Sequence, residues 1–242
     1  MGDDQRQLRT ERGAKRVRAY LGGHLVADTT RPLLVWESPR YPTYYLPETD
    51  LRARLDPTGE TASSSSRGTA EVLDVRVDDQ LAAGAARVYP EPAIDDLRGH
   101  VRLDWAAMDA WFEEDEEVFV HPRDPYVRVD ALRSTRHVTV ELDGEVLADT
   151  RAPVLLYETG LPPRHYLPPT DVRRDLLVPS ERVTHCPYKG STRYFHVRVG
   201  GREEADLAWS YPTPLPESRP IAGMICFPAE RVTVVVDGVP VS

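Results

Sequence analysis

The chain has 242 residues, with 30 Lys plus Arg against 39 Asp plus Glu and a formal net charge of −9 at pH 7. That acidic balance argues against a broad nucleic-acid grip and against docking on an anionic membrane. A composition of 40% hydrophobic and 29% charged residues, with 22 Pro and 15 Gly, fits a folded, mostly β protein of short strands joined by turns.

In chain order, residues 1–13 read as a charged tail, and nothing before Arg18 has the apolar run of a secretory leader. Thr61, Ser63–Ser66, Arg67 and Gly68 compose a loop. From Asp104 to Glu117, Trp105, Met108 and Phe112 stand at helical spacing. The stretch is predicted as an inserted amphipathic helix with a solvated acidic tail, Glu113–Glu117. His121 to Ser134 then reads as a proline-stiffened connector. Val138–Leu142 alternates as a strand, Asp143-Gly144 offers a hairpin turn, and Glu145 begins the return. Leu155–Glu158, Arg193–Val199 and Arg231–Val236 are further strands, with turns at Gly200-Gly201 and Asp237-Gly238. Short helical turns are expected over Thr170–Leu177, with Asp171 at a helix start. The longest apolar runs, Pro153–Tyr157 and Val232–Val236, fall far short of the ~20 residues of a membrane helix. Two cysteines, Cys186 and Cys226, make no disulfide framework and are expected as reduced thiols in a cytoplasm.

The chain repeats itself. Val17 to Gly23 matches Val138 to Gly144, and Ala27-Asp28-Thr29 matches Ala148-Asp149-Thr150. Trp36-Glu37 matches Tyr157-Glu158, and Tyr45-Leu46-Pro47 matches Tyr166-Leu167-Pro168. After a slip of one residue, Gly68 pairs with Gly190, Val75-Arg76-Val77 with Val197-Arg198-Val199, and Tyr89-Pro90 with Tyr211-Pro212. A period this long means duplicated domains, predicted over 14–133 and 134–242. The copies differ at one motif: Cys186-Pro187-Tyr188-Lys189-Gly190 stands opposite Ser64-Ser65-Ser66-Arg67-Gly68, and Trp209 stands opposite Arg87. If the motif makes a site, the second copy has it.

Glu158-Thr159-Gly160, Tyr166-Leu167-Pro168, Asp171, the Cys-Pro-Tyr-Lys-Gly run, Trp209, Tyr211-Pro212 and the last strand resemble the DUF427 family, in its tandem two-copy actinobacterial form. The resemblance implies two tandem domains of the mostly β, β-tent or Mss4-like fold. The family label also implies nucleotidyltransferase chemistry, but the spacing of acids beside a Gly-rich loop that would hold magnesium is absent.

Several constellations carry chemistry. A Lys189 ammonium near Cys186 would favour the thiolate and suit a nucleophile, whereas packing would make Cys186 a small core residue. Tyr166, Tyr188, Trp209 and Tyr211, with Glu158 and Asp206, are candidates for a small-molecule pocket, the alternative being one shared core. In an enzyme, Glu158 or Asp206 would move protons. No motif calls for a cofactor, and without a Cys-x-x-Cys pair no metal site is expected. A homo-oligomer is left open. The competing class is a non-catalytic interaction module, which needs Trp105 or Trp111 exposed in an apolar patch.

Overall fold

The computed structural model describes residues 8–241. It is mostly β and divides into two compact units, Met1–Asp124 and Pro125–Ser242. Near its start each unit has an antiparallel hairpin whose turn forces a left-handed backbone. At Asp143 and Gly144 φ is 51° and 84°, the twisted two-residue turn that Asp-Gly sequences favour. The strands it joins are Val138–Leu142 and Glu145–Thr150. In the first unit Gly22 and Gly23 serve the same turn, between Val17–Leu21 and His24–Thr29.

Each hairpin belongs to a four-stranded sheet that packs on one face of a seven-stranded antiparallel sheet. Alternating side chains fill the space between them: Val17, Ala19, Leu46, Val75 and Val101 in one unit, Val138, Val140, Leu167, Val197 and Leu207 in the other. The opposite face of each large sheet carries a smaller cluster. In the second unit it is Val154, Leu156, Tyr166, Tyr211 and Cys226, joined by Ile221 from the 3-10 turn Pro216–Ile221. The expected helical turns near residue 170 are the 3-10 turns Pro169–Asp171 and Arg174–Leu176. The large sheets end on unlike strands: Arg54–Ser64 in the first unit, whose register shifts between Pro57 and Thr61, and the three-residue Leu177–Pro179 in the second. Among the described residues, no helix is long and apolar enough to cross a membrane.

Three expectations are corrected. The inserted helix is absent: a 3-10 turn, Trp105–Ala107, leads into the strand Ala110–Glu113. Period-2 alternation wins over the helical spacing because Trp111 and Glu113 point inward while the strand pairs with Val17–Leu21. The strand is the first unit's counterpart of Thr233–Val236, which pairs with Val138–Leu142 in the same way. The stretch is therefore no insert. Its acidic tail is solvated from Glu114 to Glu117, but Glu113 is buried at the place of Val236 and is bonded by Tyr44 and Lys15. The connector also ends in structure, since Val129–Arg133 pairs with Val154–Glu158 as a strand of the second unit. Within the charged tail, residues 1–7 lie outside the described residues, while Thr10–Arg12 pairs with Leu33–Val35.

The repeat has also diverged in its electrostatics. Thr29 donates to Asp50 as Thr150 donates to Asp171, but only Asp50 is also bonded by an arginine, Arg31, at 2.9 Å. That guanidinium pulls the Asp50 carboxyl down to about 2. An unfolded aspartate titrates near ~3.9, so the stabilisation is complete above about pH 4 and is lost as pH falls towards 2. Asp50→Asn is expected to cost under about 1 kcal/mol at pH 7, the usual size for an exposed pair, and to remove this pH dependence. An NMR titration of the Asp50 carboxyl, with thermal melts at pH 7 and pH 3, checks both.

Candidate functional site

Lys189 lies in the turn that joins two short strands, His185–Cys186 and Gly190–Ser191. Gly190 closes that turn at φ 96°, where a side chain would be strained and its Cβ would sit 3.4 Å from the Thr213 carbonyl. The following segment straps the turn down: Leu215 N–H donates to the Lys189 carbonyl at 3.1 Å, and Ser218 Oγ donates to the Tyr188 carbonyl at 3.4 Å. The Lys189 ammonium reaches the carboxylate of Glu158, at the end of Val154–Glu158. Each of these two side chains is only 11% exposed.

Beside this pair, one row of directly opposed residues crosses the large sheet. It reads Val154, Tyr166, Cys226, Trp209 and Tyr194. Opposed residues in antiparallel strands share a face, so these five side chains stand together. Trp209 Nε1 donates to Tyr166 Oη at 3.2 Å, and the Tyr166 and Tyr211 rings lie 6.4 Å apart. Burial pushes both phenols above their ordinary range and keeps them protonated. Cys186, half-buried, packs against the same cluster.

Six predicted residues are thus gathered: Glu158 with Lys189, and Tyr166, Trp209 and Tyr211 with Cys186. Tyr188 is half-buried in the motif turn. Asp206 is engaged elsewhere: Ser180 Oγ donates to it at 2.5 Å, and Arg182 and His196 approach at 3.5 Å. The Ser180 hydrogen bond holds its carboxyl below the usual range. The Lys189 ammonium is committed to Glu158. Neither tryptophan of the interaction-module reading stands exposed: Trp111 is buried, Trp105 is half-buried, and their rings stack at 4.7 Å. A cavity of about 430 Å³ in the second unit opens on the opposite face of the sheet, among Arg193, Phe195, Ser210 and Ile225. Alternation puts Ser210 and Ile225 there, away from Trp209 and Cys226.

The sequence marked Cys226 as a reduced thiol and placed no pocket role on it. It is fully buried, and burial pushes its thiol up to about 12. The signal that would have found it is its pairing with both Tyr166 and Trp209, which is long-range and invisible without the sheet. Both thiols are free. With excess iodoacetamide at pH 8, Cys186 is expected to react in the native protein and Cys226 only on unfolding, orders of magnitude more slowly. Intact-mass counting of adducts tests this, and two native adducts would contradict it.

The first unit holds the same corner in different chemistry. Glu37, at the position of Glu158, is bonded by Arg67, at the position of Lys189. Arg102 also donates to Glu37, at 3.0 Å, and Tyr45 Oη donates at 2.7 Å. Burial works against ionisation of Glu37, yet Arg102, Arg67 and Tyr45 hold its carboxyl below the usual range. The motif's thiol, phenol and indole are gone from this copy, but its cation is kept as a guanidinium.

Fold and site together define a class: tandem copies of one small antiparallel β domain, each setting an acid–base pair at the corner of its large sheet. The family model described as a domain of unknown function, DUF427, matches residues 9–114 and again residues 130–238. The chain belongs to that family, in two copies. No curated protein matches it.

Proposed function

We propose that the second unit binds a small molecule on the face of Trp209 and Tyr194, with the Lys189–Glu158 pair fixing its polar end. The observation that carries this reading is the placement of that pair. A nearly buried ammonium–carboxylate pair adds little net stability over apolar packing, so its position beside an aromatic row is better explained by recognition. Trp209 and Tyr194 supply two aromatic rings 6.4 Å apart and tilted by 46°, with Arg182 over the Tyr194 ring at 4.7 Å, and the pair supplies one donor and one acceptor for the polar end of the ligand.

A planar-heterocycle fragment set, screened by saturation-transfer NMR, tests the reading. Supporting hits shield Cys186 from iodoacetamide and lose at least about fivefold in affinity in Trp209→Ala and Lys189→Met. Hits that shift Arg193 and Phe195 instead would move the site to the cavity on the other face. Absence of any fragment that shields Cys186 would sink the proposal. In a catalytic version of the same site, Cys186 is the nucleophile, because it is the thiol with solvent access.

A further inference from the structure

The row that carries the second unit's aromatic face has a counterpart in the first unit: Leu33, Tyr45, Arg102, Arg87 and Val72. The thiol and the indole have both become guanidiniums, on neighbouring strands and directly opposite each other. Like charges so placed repel. Arg67 adds a third cation at the same corner, and it and Arg102 have side chains only 22% exposed. Glu37 takes up Arg67 and the Nε of Arg102, while the terminal amino groups of Arg102 carry no hydrogen bond among the described residues. The half-buried Arg87 guanidinium has no hydrogen-bond or ion-pair partner among them. A copy kept only for structure has no reason to crowd cations on a partly buried face, where apolar side chains cost less.

A cavity of about 310 Å³ adjoins this cluster, with Arg102, Glu37, Thr43, Trp105 and His121 in its wall. Asp104, also in the wall, accepts from the Ala106 N–H at 3.3 Å. The Trp105 ring is held flat against Trp111, with 5° between their planes, which presents a rigid aromatic surface.

We propose that the first unit is a separate small-molecule site selective for an oxyanion. Arg102 and Arg87 take a carboxylate or phosphate group in charge-assisted hydrogen bonds, and the planar body of the ligand lies in the cavity against Trp105. The fork of donors on Arg102 suits two oxygens of one group. This site is independent of whatever the second unit binds, and it explains why the copies diverged where they did: one corner offers a thiol and rings, the other a surplus of guanidinium donors.

The test is a titration of the ¹⁵N-labelled full chain at constant ionic strength, with sodium benzoate in one series and inorganic phosphate in the other. Saturable shifts are expected in His100–Leu103 and Gln80–Val88 and at the Arg102 side chain. Comparing the two series separates a carboxylate from a phosphate preference. Arg102→Gln is expected to weaken binding at least about tenfold and Arg87→Gln at least about threefold. Arg198→Gln, an exposed arginine paired with Glu203 in the second unit, is the control and leaves it unchanged. If neither probe saturates, or if affinity survives Arg102→Gln, the proposal is wrong. Should Arg102→Gln fail to fold, Arg87→Gln decides alone, since it breaks no ion pair: unchanged affinity there overturns the proposal.

Discussion

Lys189→Met is expected to destabilise the second unit by about 2–3 kcal/mol, because it strands the Glu158 carboxylate where little water reaches it. The two side chains are each 11% exposed, which places the pair between a surface bridge and a fully buried one. Glu158→Gln leaves the Lys189 ammonium in the mirror situation and is expected to cost a similar amount. The double variant removes both charges, so it is expected to lie much closer to the wild type than the two losses added together. A coupling of about 2 kcal/mol in that double-mutant cycle is the expected result. Hydrogen exchange across Arg202–Ser210 reads the stability of this unit without interference from the other. Simple additivity would mean that water solvates each charge when its partner is removed, and the case for recognition at this corner would lose its footing.

Leu207→Ala is expected to cost about 3 kcal/mol, the second large effect. Leu207 is fully buried in the core between the two sheets of the second unit, and truncating such a leucine loses transfer energy and leaves a void. The repeat sharpens the prediction. The matching residue in the first unit is Ala85, also fully buried. That unit tolerates alanine because Trp111 stands in its core where the second unit has Val234. Bulk has moved from one strand to another while the total filling is kept. Leu207→Ala together with Val234→Trp is therefore expected to recover part of the loss. Urea unfolding monitored by hydrogen exchange measures both variants.

The duplication and the all-β character were legible in the residues, because both rest on local information. Identities at a constant spacing survive without knowledge of contacts, and Asp143-Gly144 fixes its own turn through backbone sterics alone. The stretch after Asp104 misled for a physical reason. Trp105, Met108 and Phe112 satisfy a helical period by coincidence, and the deciding fact is that Val17–Leu21 lies waiting almost a hundred residues earlier to pair with Ala110–Glu113. The site was legible only as a set of residue types. Glu158 and Lys189 were both singled out, but their union depends on a turn strapped down by Leu215 and Ser218. Asp206 stood with Glu158 as a polar anchor of the expected pocket, and a shift in register beside it turns it towards Ser180 and His196 instead. The motif's letters place a site only in the second copy, yet Arg67 bonds Glu37 as Lys189 bonds Glu158.

The unlike last strands of the two large sheets bear on how such a chain avoids edge-to-edge pairing at high concentration. A duplicated β domain that kept its copies alike would present the same open row of backbone donors and acceptors twice, and neighbouring molecules could zip together along it. Here the first unit's open row is interrupted by Pro57, which has no N–H to offer, and by the slip in pairing before Thr61. The second unit's is cut to three residues and ends at Pro179. Two different interruptions leave these two edges without a common stretch to pair along, so divergence between the repeats guards this end of the large sheets against edge-to-edge growth.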